Sequence, residues 1–362
     1  MARLTHLALS NFRNFQDAHI TPHPRFNLLF GKNGSGKTNL LEALFFLAIG
    51  KSQRGAHIAD LVRFDTEKFT LKSEWLAAGN PRQVEAYGSA EKHGFSVNQA
   101  PLKSAAELVG AAPVVSFSPD DLQLISGPPS ERRRTLNILL SQADISYFIS
   151  LCDYNRTLAQ RNAYLRSGAP DARYLSVLTR ELIRLGADIR FKRQAFLDRL
   201  LPYAVRHLSA ITDRRETPEL TLRPAPAADA AGGEAALAAE FERARARETA
   251  FGVTLCGPHR DDLLVRLNGR DARRYASRGQ LRSLSLSIKL AGVDLLDDLT
   301  GEPGVLLLDD MFSELDSRRS EALVATLSER HQIFAAVPKL PEFPLKADHA
   351  GFRVIHNVLE AL

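Results

Sequence analysis

The sequence predicts an α/β fold: a head, in which a mixed sheet joins an antiparallel meander, interrupted by an inserted, mostly α-helical arm domain. Three observations lead there. Gly31-Lys32-Asn33-Gly34-Ser35-Gly36-Lys37-Thr38 matches G-x-x-x-x-G-K-[ST] and stands between the apolar run Phe26–Phe30 and an apolar helical stretch from Thr38 to Ile49. Gly304-Val305-Leu306-Leu307-Leu308-Asp309-Asp310 is apolar without alternation, as for a strand buried on both faces of a parallel sheet, and ends in two carboxylates. Between them, Ser130 to Leu208 carries helical periodicity with few breakers.

Taken in order, residues 3 to 20 alternate through Leu7, Leu9, Phe12, Phe15 and Ile20, which predicts a hairpin linked by Asn11-Phe12-Arg13-Asn14-Phe15. Strand-like stretches at Phe69–Trp75, Gln83–Tyr87 and Phe95–Val97 predict the meander, with Asn98-Gln99 as a turn. Val114–Phe117 reads as a short buried strand, and Asp120-Asp121 as the cap of the helical region. Ser167-Gly168-Ala169-Pro170 splits that region into two long helices, with Leu151, Tyr154, Leu158 and Leu165 on one apolar face and Leu178, Leu182, Leu185, Ile189 and Phe196 on the other. A helix of about 35 residues extends roughly 50 Å, a short arm. Arg180, Arg184, Arg190, Lys192 and Arg193 point in several directions around it, and the two readings of them are a solvated surface and DNA contact.

Glu219–Arg223 reads as a strand, Pro224–Gly233 as a loop and Glu234–Ala250 as a helix. The polar turn Gly257-Pro258-His259-Arg260-Asp261-Asp262 precedes an alternating strand, Leu263–Leu267, that ends in the hairpin signal Asn268-Gly269. A lone His beside Asp in such a turn reads as structural, not as a metal ligand. The helix carrying Leu281, Leu284, Ile288, Ala291 and Leu295 starts at Ser277-Arg278-Gly279-Gln280. The expected division is 1–119 and 251–362 for the head and 120–250 for the insertion.

Composition narrows the function classes. The 362 residues are 44% hydrophobic and 25% charged, which fits a globular chain, and the formal charge of +5 permits nucleic-acid contact without demanding it. The N-terminus lacks a signal-peptide layout and no window reaches 18 uncharged apolar residues, so the expectation is a cytoplasmic protein with no membrane role. Cys152 and Cys256 have no metal-ligand spacing and read as ordinary buried or half-buried thiols.

The site chemistry follows from the motifs. In the loop Gly31, Lys32, Asn33, Gly34, Ser35, Gly36, Lys37 and Thr38, backbone N–H groups and a helix N-terminus can cradle the phosphates of a nucleotide such as ATP. Lys37 reaches the β- and γ-phosphates, Thr38 and Asp309 hold Mg²⁺, and Asp310 is placed to orient or deprotonate the attacking water, so Lys37 and Asp310 are the candidate catalytic residues. Ser277, Gly279 and Gln280 open a helix with a hydroxyl, close-approaching backbone and positive partial charge, which suits a γ-phosphate. Asp316, in Ser313-Glu314-Leu315-Asp316, precedes another helix.

The order of phosphate loop, long insertion, Ser-x-Gly-Gln, apolar run with Asp-Asp, then Ser-Glu-Leu-Asp resembles the ATP-binding-cassette superfamily, specifically its chromosome-maintenance and Rad50-like branch and, within it, the bacterial recombination mediators. Supporting stretches are Asn11–Phe15, Phe117–Leu122, Arg132-Arg133-Arg134 and Gly257–Asp262. The resemblance implies an ABC-type ATPase head that dimerises on ATP, each nucleotide lying between one subunit's phosphate loop and the other's Ser277 turn, with Asp316 contributing. It implies Arg13 and Asn14 near the nucleotide, Arg278 and Arg282 near the dimer face, and a weak, DNA-stimulated ATPase that works as a switch. It further implies binding to double-stranded and gapped or junction DNA, partnership with a RecR-type mediator, RecA loading and the SOS response. Two departures stand out: the strand Gln332–Val337 offers no His that could sense the γ-phosphate, and Gln123 is the nearest candidate for the usual Gln. The ATP subunit of a membrane transporter shares these motifs and is the alternative, although such subunits do not normally carry so long a helical insertion. A chromosome-organising ATPase would need far longer arms.

Overall fold

The structure is a computed structural model that describes residues 2–77, 79–103, 107–108, 113–167, 171–212, 215–225, 230–311, 327–339, 349–355 and 358–361. Contacts divide the chain into two units, Met1–Pro119 with Leu296–Leu362, and Asp120–Leu295.

The first unit holds two sheets. β1 (Arg3–Phe12) and β2 (Phe15–Ile20) form the expected hairpin, and they continue into β4 (Lys68–Ala77), β5 (Asn80–Ser89), β6 (His93–Val97) and β7 (Ala100–Pro101) in the order β2-β1-β4-β5-β6-β7, all antiparallel. Asn98 and Gln99 take φ of 49° and 67°, the left-handed pair that a two-residue hairpin turn requires. The second sheet runs β15-β14-β3-β13-β12-β8, from β3 (Phe26–Phe30), β8 (Val114–Phe117), β12 (Val305–Asp309), β13 (Gln332–Val337), β14 (His349–Ile355) and β15 (Val358–Ala361). Its inner strands pair parallel, and β12 and β13 are buried along nearly their whole length, as their unbroken apolar runs require.

Helix α1 (Lys37–Ile49) touches strands of both sheets. Leu40 to Ile49 are all buried, which explains why this stretch is apolar on every side instead of amphipathic. On the meander side the Phe46 ring meets Phe69 edge-on at 5.8 Å and Phe95 at 5.4 Å between centroids. The short α2 (Ile58–Leu61) follows.

The second unit is mostly helical: α3 (Gln123–Ser126), α4 (Pro129–Ala143), α5 (Ile145–Leu165), α6 (Ala172–Ile211), α7 (Ala230–Phe251), α8 (Ala272–Tyr275) and α9 (Arg278–Thr300), whose last turn runs past Leu295. A small sheet, β11-β10-β9, comes from β9 (Pro218–Arg223), β10 (Asp262–Leu267) and β11 (Arg270–Asp271). Here the sequence expectations need three corrections. The first long helix is two, because Asp144 takes an extended conformation, φ −142° and ψ 104°, and its carboxylate accepts hydrogen bonds from the N–H groups of Ser146 and Tyr147 as the cap of α5. Arg190 and Arg193 on α6 are neither solvated nor free to contact DNA: both are buried, Arg190 forking onto Asp261 at 2.7 and 2.9 Å and Arg193 reaching the Pro258 carbonyl at 2.9 Å. Cys152 is exposed, not buried, while the half-buried Cys256 thiol is pushed up to about 12 by burial and by the Glu248 carboxylate beside it.

The same contacts bear on the expected boundary after residue 250. Residues 251–295 group with 120–250 because β10 pairs with β9, Arg132 forks onto Asp262 at 2.6 and 3.0 Å, and Arg161 donates to the Thr254 hydroxyl at 2.7 Å. His259 is structural: its Nε2 donates to the Thr254 carbonyl at 3.2 Å, leaving Nδ1 to accept from the Tyr154 hydroxyl at 2.8 Å, and burial holds the ring below its ordinary pKa, hence neutral.

Candidate nucleotide site

The phosphate loop occupies the turn between the C-terminal end of β3 and the N-terminus of α1. Gly31 and Gly36 adopt φ of 154° and 115°. Crowding also selects glycine there, since a Cβ on Gly31 would lie 2.3 Å from the Val354 carbonyl oxygen and one on Gly36 would lie 2.7 Å from the Asn14 amide. Lys37 folds over the loop, its Nζ donating to the carbonyls of Gly31 at 2.7 Å and Lys32 at 2.9 Å. Burial lowers its pKa, while the carboxylates of Asp309 and Asp310 act in the opposite sense. An ammonium held this way is aimed along the cradle with its solvation already reduced.

Asp309 ends β12 beside the loop, and the Thr38 hydroxyl donates to its Oδ1 at 2.9 Å. Burial raises the Asp309 pKa, against the Thr38 hydrogen bond and the charge of Arg54. Asp310 turns away from the strand at φ 50°, and its N–H donates to the Ala336 carbonyl of β13 at 3.0 Å. This left-handed step is one that Asp tolerates better than most residues. The parallel register of β12 with β13 and of β13 with β3 thus brings two sequence-distant motifs to one end of one sheet.

Arg13 and Asn14 flank the same loop. Asn14 donates to the Ser35 carbonyl at 3.3 Å and accepts from Asn39 at 2.7 Å. Arg13, at φ 55°, forks onto Glu42 at 2.9 and 3.1 Å and donates to the Asp60 carbonyl at 2.8 Å. Glu42 also accepts from the Ser52 hydroxyl at 2.6 Å, so this fully buried carboxylate is paired with a cation and takes three hydrogen bonds. A cavity of about 640 Å³ opens next to Arg13, Asn14 and Asn39 and is rimmed by Phe64, whose side chain is 92% exposed. Sequence reasoning missed Asn39, Glu42 and Phe64. An acid between Leu41 and Ala43 on an otherwise apolar helix was the available signal for Glu42; the others had none.

The loop fits a nucleoside triphosphate. Its Ser35 hydroxyl is buried and has no hydrogen-bond partner among the described residues, glycine at 31 and 36 lets the loop close against Val354 and Asn14, and a hydroxyl with an acidic partner, Thr38 with Asp309, is a donor set that hard cations such as Mg²⁺ prefer. Ser277 lies in the other unit. Its N–H donates to the Gln280 side chain at 2.8 Å and its hydroxyl accepts from the Gln280 N–H at 3.3 Å, a reciprocal capping box at the start of α9. Gln280 also donates to Glu216 at 2.8 Å, and Gly279 sits open on the first turn. Gln123 opens α3 in this second unit, and Asp316 lies outside the described residues.

Comparison with known proteins adds to this geometry. The model of the RecF/RecN/SMC N-terminal domain matches residues 3–338. The "DNA replication and repair protein RecF" of Symbiobacterium thermophilum is 38% identical over 360 residues, covering 97% of this chain and 96% of that one. The proteins of the same name from Staphylococcus carnosus and Heliobacterium modesticaldum are 36% and 38% identical, over 92% and 95% of this chain. Among solved structures, that of the recombination mediator protein RecF with ATP, described as part of the RecFOR pathway, superposes with a TM-score of 0.93 at 30% identity, covering 100% of this chain and 98% of that one. An Smc head domain from Pyrococcus furiosus, at 14% identity and a TM-score of 0.55, shares the fold.

Proposed function

The chain belongs to the RecF family of the SMC and Rad50-like ATP-binding-cassette ATPases, and from that premise we propose that it is an ATP-switched DNA-binding protein of recombinational repair. The observation that carries the reading is the joining, at one sheet end, of the Gly31–Thr38 cradle with Asp309 through the 2.9 Å Thr38 hydrogen bond, in a chain alike from end to end to a RecF solved with ATP. Relatives of nearly full length are DNA replication and repair proteins, which removes the transporter-subunit alternative.

In this reading Lys37 leaves the Gly31 and Lys32 carbonyls for the β- and γ-phosphates, and the loop N–H groups hold the rest of the chain of phosphates. Thr38 and Asp309 would hold Mg²⁺, which would supply charge neutralisation for the triphosphate. Asp310 orients the attacking water and takes its proton. Asn14 and Arg13 border the nucleoside end, where the cavity beside Phe64 has room for a base. The γ-phosphate is capped by Ser277, Gly279 and Gln280 of a second copy, with Asp316 at the same face, so ATP joins two chains and hydrolysis parts them. With β13 itself offering no His to sense the γ-phosphate, turnover is slow and the ATPase serves as a timer that DNA stimulates. The bound DNA is duplex with a gap or junction, the partner is a RecR-type mediator, the outcome is RecA loading with a part in the SOS response, and the location is the cytoplasm.

The test is a titration of gapped, duplex and single-stranded DNA with ATP, with ADP and without nucleotide. Tightest binding is expected for gapped DNA with ATP, weakening with salt as phosphate contacts do. An affinity indifferent to nucleotide would sink the switch.

A further inference from the structure

Away from the phosphate loop, the second unit carries a cleft of about 600 Å³ on the small sheet and α8, walled by Arg223, Arg266, Arg270 and Arg274 with Asp271 and Tyr275. Four guanidinium groups face one carboxylate, and that carboxylate is already engaged as the cap of α8, accepting from the Arg273 N–H at 3.0 Å. The cations are held loosely or not at all. Arg266 lies 3.7 Å from Glu219 and Arg274 4.0 Å from Asp271, while Arg223 and Arg270 have no ion-pair partner among the described residues. This contrasts with Arg132, Arg161 and Arg190 in the same unit, each forked onto or paired with an acid inside the fold. Arginines committed to the fold are sheathed, and those of the cleft are not. Tyr275, at the cleft's edge, is a large aromatic side chain left 68% exposed.

We infer that this cleft binds a nucleic-acid strand, with its phosphodiesters on the four arginines and a base stacked on Tyr275. The inference rests on the reading of the chain as a DNA-binding protein and assigns the surface that does it. The chemistry favours a strand over a protein partner: guanidinium forks match phosphate oxygens two by two, and an exposed aromatic beside them offers a stacking platform. A protein interface would instead centre on a buried apolar anchor, and the cleft's wall offers only Leu264 and the Tyr275 ring. The placement also links strand to nucleotide. Tyr275 ends α8, and only Ala276 separates it from Ser277, the cap of α9. A strand that immobilises Tyr275 therefore holds the turn that caps a partner's nucleotide.

The experiment is fluorescence anisotropy on single-stranded, duplex and gapped DNA with ATP, over a series of salt concentrations, for the wild-type chain, Arg270→Glu/Arg274→Glu and Tyr275→Ala. The charge reversal is expected to weaken binding about ten-fold or more and to flatten the salt dependence by about 0.7 to 1 in log–log slope for each phosphate that is no longer neutralised. Tyr275→Ala is expected to weaken the single strand more than duplex of the same length. Binding of a fluorescent ATP analogue and the thermal unfolding midpoint should stay at wild-type values, which separates a damaged cleft from a damaged fold; Arg270→Gln/Arg274→Gln repeats the test with uncharged side chains of similar length. If the wild type binds DNA and both Arg270/Arg274 double variants match it in affinity and slope, the cleft is not the site. Loss of an acidic protein partner with DNA binding intact would overturn it too. A wild-type chain that binds no DNA in any nucleotide state removes the inference together with the reading beneath it.

Discussion

Glu42 joins stability to function at a single residue. Its carboxylate is fully buried yet satisfied by Arg13 and Ser52, and Arg13 is thereby held against the loop with its backbone in the left-handed region. Arg13→Ala leaves a charge without its partner. A broken buried pair commonly costs about 3–5 kcal/mol, and partial exposure of Arg13 brings the expected loss toward about 2–3 kcal/mol, read from the urea midpoint. Nucleotide affinity should fall as well, because Asn14 follows directly in the chain and contacts the Ser35 carbonyl. Asp310→Asn is expected to keep ATP binding while hydrolysis drops by about two orders of magnitude or more, checked by equilibrium binding and phosphate release; equal loss of both would assign Asp310 to binding. At this scale the loop was legible because eight consecutive residues carry its chemistry. Arg190 and Arg193 were not, because their partners Asp261 and Pro258 lie about seventy positions away and helical periodicity is silent about what a face packs against.

Among the elements, α5 shows how a short signal sets a boundary. Ser130 to Leu165 is helix-forming almost throughout, and one capping side chain decides where it breaks. Asp144 leaves the helical region and satisfies the first N–H groups of α5, also accepting from the Ser146 hydroxyl at 2.6 Å. Asp144→Ala is expected to cost about 1 kcal/mol, and Asp144→Asn far less, in thermal or urea unfolding. Burial opposes its charge, but the Ser146 and Tyr147 hydrogen bonds and the Lys192 ammonium win, holding the carboxyl below its ordinary pKa. A depressed folded pKa means that this stabilisation is fully present above about pH 4, the unfolded value, and is lost as pH falls through the folded one. Unfolding midpoints of wild type and Asp144→Ala should therefore converge as pH is lowered from about 6 toward about 3. The strands were easier to read than the helix break, since alternation in β4 and the unbroken apolar runs of β12 and β13 each report which faces are covered.

For the whole molecule, the sequence marks the start of the inserted unit, where Ser118-Pro119-Asp120-Asp121 is an audible break, better than its end. Its end is set by tertiary pairing, β10 on β9 and Arg132 on Asp262, and no composition shift near residue 250 announces it. The consequence is functional: the phosphate loop belongs to one unit and the Ser277 turn to the other. A nucleotide shared between copies predicts a complementation that a self-contained site forbids. Lys37→Met should lose ATP binding and ATP-dependent dimerisation, and Ser277→Arg should keep ATP binding but not dimerise. Each homodimer would have both composite sites damaged. In a mixed dimer the two lesions fall together at one site, and the other pairs an intact Lys37 loop with an intact Ser277 turn. Mixing the variants should therefore restore ATP-dependent dimers, measured by light scattering, and up to about half of the wild-type ATPase per dimer, whereas sites confined to single chains would show no recovery at any ratio. Because Ser277 also closes the capping box of α9, its substitution costs about 1 kcal/mol of helix stability on its own. Ser277→Ala shares that cost without the bulk of arginine, so dimerisation retained in Ser277→Ala and lost in Ser277→Arg places the effect at the face between copies.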